Sequence, residues 1–477
     1  MTRIAAVLAV PVTGAGDCTD LRALQDHPIR LDQQVTEQPV TSGFDRVREV
    51  AEAVSVGLVL DRSETPCARP QAEWVVWGDC VGVAHGTTAG REPVFRASAG
   101  LRSIRDVVGP TLRGQSITSF RQLTGEIEAL TETGQVPSQD PVDPGESADR
   151  PAKRVSRRDL LTTPLRILRT ADEARSEVAW KIVERPLHAA VRYGVSQALL
   201  KAVAVSRQQT MAEVISAEWD LPLANRSVPI HAQGRLGRHG DADRMIVRRA
   251  DSLGREVMEG VPDQLGPDRG ALIRYVRWLK TRAQQLGGPD YRPAFHLDFQ
   301  GALGRIYENN LGRILGHIHR LQAQALPYPL RVESPLIMDS RDAHLKALGT
   351  LREYIEFRKL EVELVADEWI NTLDDVRALV EARAADMVHI RMPALGGVQK
   401  SVEAVLTCQE AGLGTLLGGS CTETDLSARV TAHVALAVQP DLLMAKPGSG
   451  VDGSICLLQN EMARTLAWVG LRRSRSA

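Results

Sequence analysis

Three acidic residues close short apolar runs: Asp298 ends "FHLD", Glu333 ends "RVE" and Asp367 follows "VELVA". They stand 35 and 34 residues apart. That spacing is one strand–helix repeat of a parallel barrel, and it puts each carboxylate on the face where barrels carry their chemistry. Three carboxylates gathered in a dry pocket repel one another. A hard divalent cation removes the repulsion, and Mg2+ suits a partial carboxylate shell that leaves positions for substrate and water. A single acid at a strand end more often caps a helix or pairs with an arginine, but three on successive repeats favour a metal. Such an ion holds a substrate carboxylate and stabilises the charge that builds when the neighbouring carbon loses its proton.

The stretch "VHIRMPALGG" (388–397) adds a second set of groups. His389 and Arg391 are two apart on an apolar run, so on a strand they face the same way. An imidazole titrates near neutrality and suits proton transfer. A guanidinium keeps its charge and forks around carboxylates.

Positioning these groups requires a regular frame. From residue 226 onward short apolar runs (MIVRR, PAFHLDF, LRVESP, VELVADE, DMVHIRM, GTLLGG, DLLMAK) alternate with helical segments such as GALIRYVRWLKTRAQQL and TDLSARVTAHVALAV. Seven or eight such repeats over about 240 residues predict an α/β fold, a C-terminal (β/α)8 TIM-type barrel spanning 226–477. Residues 1–225 read as a separate α+β domain, with strands at IAAVLAVPV, VSVGLVL and EWVVWGDCVGV and a helix pair in HAAVRYGVSQALLKAVAVSRQQTMAEVISAEW. Within it, about 135–180 is rich in Pro, Asp and Ser and then abruptly basic, the signature of a mobile insertion.

Composition narrows the function. The chain has 477 residues, 43% hydrophobic and 25% charged, with a net charge of −1. That balance argues against polyanion binding and predicts no nucleic-acid partner. Its 50 Arg against 8 Lys is lopsided. Six scattered cysteines form no CxxC pair, which argues against a zinc site or a disulfide framework and for a cytoplasmic setting. No apolar run is long enough for a membrane span.

At this point longer motifs become recognisable. "GFDRVREVAEAVSVGLVL", "GDCVGVAHGTTAGREPVF", "AAVRYGVSQALLKAVA", "VADEWINT", "GGSCTETDLSARVTAHVALA" and "KPGSG" resemble methylaspartate ammonia-lyase, a branch of the enolase superfamily. The resemblance covers nearly the whole chain outside the insertion. It implies an N-terminal capping domain over the barrel, a homodimer, and Mg2+-dependent removal of ammonia from a branched aspartate. It implies Asp298, Glu333 and Asp367 as metal ligands, Gln233, Ser420 and Cys421 as substrate contacts, and Met444 as a residue shaping the pocket. The expected ions are Mg2+, with Mn2+ as an alternative, and a monovalent cation such as K+.

The departures from the family pattern fall on the proton-transfer groups. Arg391 stands where the family has its Lys base, Arg255 where it has a His, and His389 where it has a Gln; Ala84 replaces a second Gln. An arginine cannot replace a lysine as a base, because it does not give up its proton. Three readings follow. The chain is an ammonia-lyase for an amino dicarboxylate with His389 as base and Arg391 as clamp or acid, an enolase-type enzyme with a changed substrate or reaction, or a non-catalytic binding protein that kept the metal pocket. Lys446, near the last strand, reads as structural. His231 reads as a satisfied polar residue, and His296, two before Asp298, as a support for the metal ligands. The Gly/Arg-rich stretch 234–244 reads as an active-site loop.

Overall fold

The structure, a computed structural model, describes residues 2–14, 52–62, 75–83, 90–137, 180–234, 239–256, 270–420, 422–445 and 450–476. The expected apolar runs near the N-terminus form an antiparallel sheet of β1 (Thr2–Thr13), β2 (Glu52–Arg62) and β3 (Val75–Val81). The central strand β2 is buried along most of its length through Ala53, Val54, Val56, Leu58 and Leu60. Helix α1 (Ala189–Arg207) packs on this sheet by close backbone approach. A Cβ on Gly194 would stand 2.7 Å from the Asp79 carbonyl carbon, and one on Gly78 2.6 Å from the Ala198 nitrogen. Only glycine at both positions lets helix and strand meet this closely.

The chain divides into two compact units. One comprises Met1–Leu130 and Leu187–Ala477, and the other Thr131–Pro186. In the second, β4 (Thr131–Pro137) and β5 (Trp180–Pro186) pair antiparallel, with Arg185 bridging to Glu132 at 3.0 Å. The rest of the expected insertion lies outside the described residues.

The closed barrel contains eight parallel strands. They are β6 (Ile230–Gly234), β7 (Ser252–Glu256), β8 (Ala294–Asp298), β9 (Leu330–Glu333), β10 (Val362–Ala366), β11 (Met387–Arg391), β12 (Gly414–Gly418) and β13 (Leu442–Met444), with β13 pairing back to β6. Alternate residues turn inward. Val365, Met387, Leu416, Leu442 and Met444 fill the interior as their own cluster, below the acids on the same parity. Helices α2 (Ala271–Gly287) and α3 (Asp425–Val438) are among those that flank the strands.

One expected strand is misplaced. MIVRR (245–249) is not a strand: Met245–Val247 end a helix, His239–Val247, that buries Met245 and Ile246. The strand that follows is the less apolar Ser252–Glu256. The same helix occupies most of the stretch expected as a loop at 234–244; residues 235–238 lie outside the described residues. Among the described residues no helix is long and apolar enough to cross a membrane.

Candidate functional site

Asp298 and Glu333 are the last residues of β8 and β9 and sit side by side in register, while Asp367 follows the last residue of β10. Their relative exposures are 8%, 3% and 3%. Just past each acid the backbone turns left-handed at a residue other than glycine: Gln300 (φ 44°), Ser334 (φ 45°) and Trp369 (φ 63°). Such conformations cost about 1–3 kcal/mol each and collect where function requires them.

Ligand atoms of Glu333, Asp367 and His389 all lie within 4.8 Å of one another. Asp298 is not part of that group; its Oδ1 accepts the Gln300 N–H at 3.1 Å. Glu333 is the hub. His296 Nε2 lies 2.6 Å from its Oε2, and His389 Nδ1 lies 3.0 Å from its Oε1 and 3.6 Å from Asp367 Oδ1. Arg391 pairs with Asp367 Oδ2. Burial pushes the Glu333 carboxyl up, but the His389 charge and the hydrogen bonds from His296 and His389 outweigh it and hold the group well below the usual carboxylate range.

Deeper in the barrel, His231 Nδ1 meets Ser252 Oγ at 2.9 Å and its ring packs 4.5 Å from that of His296. Burial, and then His296, push its pKa well down, so it stays neutral. This is the satisfied polar residue the sequence suggested.

Two features of His389 matter for chemistry. Nδ1 faces the acids, and Nε2 is buried without a hydrogen-bond partner among the described residues. Nε2 faces Gly418, where a Cβ would stand 2.9 Å from it and 2.8 Å from the Met444 Cβ. Nε2 therefore points toward β12 and β13, the strands leading to Ser420 and carrying Met444.

Of the expected substrate contacts, Gln233 lies on the inward parity of β6, and Met444 ends β13. Ser420 lies two residues past β12, and its hydroxyl donates to the Gly82 carbonyl at 2.9 Å. Cys421, Ala84 and Lys446 lie outside the described residues. Arg255 is not brought to the cluster. It has the outward parity of β7, and its guanidinium stacks 3.7 Å from the ring centroid of Tyr275 on α2.

The sequence reading gave Glu368 no role, although it stands beside Asp367. Its carboxyl is 4% exposed and raised to about 7, by burial first, opposed by Arg91 and reinforced by Glu333. A cleft of about 400 Å3, with Arg91, His188, Arg192, Asn371 and Leu395 among its walls, is lined by none of the clustered acids.

The cluster fits a divalent cation. Asp367 Oδ1 is a buried carboxylate oxygen that accepts no hydrogen bond among the described residues, and the Glu333 carboxylate beside it adds a second hard oxygen donor of the kind such an ion takes.

Comparison with known proteins agrees. Family models described as methylaspartate ammonia-lyase N-terminus and C-terminus match residues 2–145 with 152–220, and 222–471. The chain belongs to the methylaspartate ammonia-lyase family. Members of this family are carbon–nitrogen lyases of the enolase superfamily. Methylaspartate ammonia-lyase 2 of Carboxydothermus hydrogenoformans is 36% identical over 90% of this chain and 89% of its own. The Clostridium tetanomorphum methylaspartate ammonia-lyase is 33% identical over 92% of each chain. Its Mg complex matches with a TM-score of 0.74 over 98% of this chain and 100% of that one. The Citrobacter amalonaticus enzyme containing (2S,3S)-3-methylaspartic acid matches at 0.76, 29% identical, over 98% and 100%. Muconate cycloisomerase from Pseudomonas fluorescens, 14% identical with a TM-score of 0.54 over 91% and 84%, shares the fold.

Proposed function

We propose that this chain is a divalent-metal-dependent carbon–nitrogen lyase acting on an aspartate-like amino dicarboxylate. The observation that carries the reading is the buried group of Glu333, Asp367 and His389 at the C-terminal mouth of the barrel. Glu333 and Asp367, with Asp298 in register beside Glu333, would hold Mg2+. When bound, the ion draws the negative charge of a substrate carboxylate while the adjacent carbon gives up its proton.

His389 Nε2 takes that proton. Glu333 keeps the ring's other proton on Nδ1, which orients the imidazole and steadies its charge. As the carbon–hydrogen bond breaks, its electron pair forms the double bond, and the carbon–nitrogen bond of the substrate's ammonium group breaks with its pair passing to nitrogen, which leaves as ammonia. Arg391 stays charged and serves as a fixed cation beside Asp367, in reach of a carboxylate clamp role. Gln233, Ser420, Cys421 and Met444 surround the substrate. Residues 1–225 act as the capping domain and 226–477 as the barrel domain. The reading extends to Mn2+ in place of Mg2+, a neighbouring monovalent cation such as K+, a homodimer and a cytoplasmic setting.

With Arg391 in place of the family's Lys base, a second reading is proton abstraction from a different carboxylate without loss of ammonia. One assay separates the two. Ammonia release from L-aspartate or 3-methylaspartate that needs Mg2+ and is abolished by EDTA and by Asp298→Asn supports the first. Deuterium entering another carboxylate without ammonia release supports the second. Absence of both reactions despite Mg2+ binding leaves a binding protein.

A further inference from the structure

We propose that Glu423 is a positioning residue for the substrate carboxylate, fixing the turn Gly418–Thr424 that leads from β12 into α3 and carries Ser420. The inference rests on the lyase reading above.

Glu423 is 1% exposed. A carboxylate so deeply buried is costly unless it is firmly engaged. Tyr193 of α1, fully buried, donates its hydroxyl to Glu423 Oε1 at 2.8 Å. The carboxylate also fills the space beside Gly419: a Cβ there would overlap it. The Gly419 backbone is thus seated directly on the Glu423 carboxyl group, which α1 holds through Tyr193.

The neighbouring residues tighten the same turn. The hydroxyls of Ser420 and Thr422 both donate to the Gly82 carbonyl, at 2.9 and 2.6 Å. The Glu423 N–H donates to the Ser420 carbonyl at 3.3 Å, and Thr424 donates to Asp79 Oδ2. With the Ser420 hydroxyl engaged by Gly82, peptide N–H groups are the further donors that the described residues of this turn offer a ligand. Their direction depends on how the backbone is seated, and the seat is Glu423. Preorganised donors of this kind hold an anion well only when a supporting shell locks them.

The test uses the full chain loaded with Mg2+ and the variants Glu423→Ala, Glu423→Gln and Tyr193→Phe. Calorimetry gives dissociation constants for Mg2+, L-aspartate and (2S,3S)-3-methylaspartate, and hydrogen exchange reports on the 418–424 peptide. Glu423→Ala is expected to weaken dicarboxylate binding by roughly 10-fold or more while leaving Mg2+ affinity in place, and to speed exchange in the turn. Glu423→Gln, which keeps an acceptor for Tyr193, restores most of both. Tyr193→Phe, which keeps the ring, serves if the alanine variant fails to fold, and is expected to change them in the same direction. Equal loss of Mg2+ and dicarboxylate binding would mean general loosening and would overturn the inference. Wild-type binding left intact by both Glu423→Ala and Tyr193→Phe would overturn the inference alone. A wild-type chain that takes Mg2+ but neither dicarboxylate overturns the lyase reading together with it.

Discussion

His389 Nδ1 lies 3.0 Å from Glu333 Oε1, and this contact sets the direction of the ring. It leaves Nε2 without a partner among the described residues, facing Gly418 and Met444. A carboxylate that holds one imidazole nitrogen and bares the other is the arrangement a general base requires. His389→Ala is therefore expected to lower kcat for amino dicarboxylate turnover by about 10²–10⁴-fold, with Mg2+ still bound. Steady-state ammonia release checks this; unchanged turnover would move the role elsewhere.

His296 holds the other Glu333 oxygen at 2.6 Å and so fixes the carboxylate from the opposite side. Partners of metal ligands typically contribute about 10–100-fold to affinity. His296→Leu is expected to weaken Mg2+ binding by that order with the barrel still folded. Calorimetry beside circular dichroism separates the two effects.

Arg255 stacks on Tyr275 rather than facing the acids. Arg255→Ala is expected to leave turnover within a few-fold of wild type. Its cost is to stability, about 1–2 kcal/mol for a largely desolvated cation–aromatic contact, readable in a denaturant titration.

His344 is buried, and among the described residues neither ring nitrogen has a hydrogen-bond partner. Burial lowers its pKa to about 4, whereas the unfolded chain titrates at about 6.5. The depressed folded value means that the unfolded state takes up a proton first on acidification. Its share of stability is thus complete above the unfolded value and is lost as pH falls from there toward the folded one. His344→Leu is expected to flatten that part of the stability–pH curve.

Two glycines in helices should respond oppositely. Gly194→Ala would drive a Cβ into the β3 backbone and should cost about 1–3 kcal/mol or more. Gly125, in the helix Phe120–Glu128, has open space where a Cβ would project, with no atom of the described residues beyond its own helix turn within 4 Å. Gly125→Ala should stabilise by about 0.4–1 kcal/mol. Thermal melts of both variants decide.

Much of this architecture was legible because its signals are periodic. The 34–35 residue spacing of the acids repeats the barrel's own unit, and each acid ends a run of apolar residues. Where the pattern is weak, the reading slipped. Ser252–Glu256 is a poor apolar run, whereas MIVRR, with buried Met245 and Ile246, is richer in apolar side chains yet ends a helix. Arg255 shows the consequence, since a strand's side chains alternate between faces and one position decides in or out. Sequence spacing also could not show that His389 would lean on Glu333, 56 residues away, or that Tyr193 would reach Glu423 across 230. Those contacts arise only when the barrel closes and α1 docks. Glu368 was visible beside Asp367, but its raised pKa comes from burial, which no spacing records.

The central claim is that Glu333 and Asp367 share a divalent cation at the barrel mouth. Calorimetric titration of Mg2+ into the wild-type chain and into Asp367→Asn tests it most directly. The account predicts one ion per wild-type chain and at least a hundredfold weaker binding in the variant, an affinity gap of about 2.7 kcal/mol. A wild-type chain that binds no Mg2+, or a variant that binds it equally well, would contradict the account.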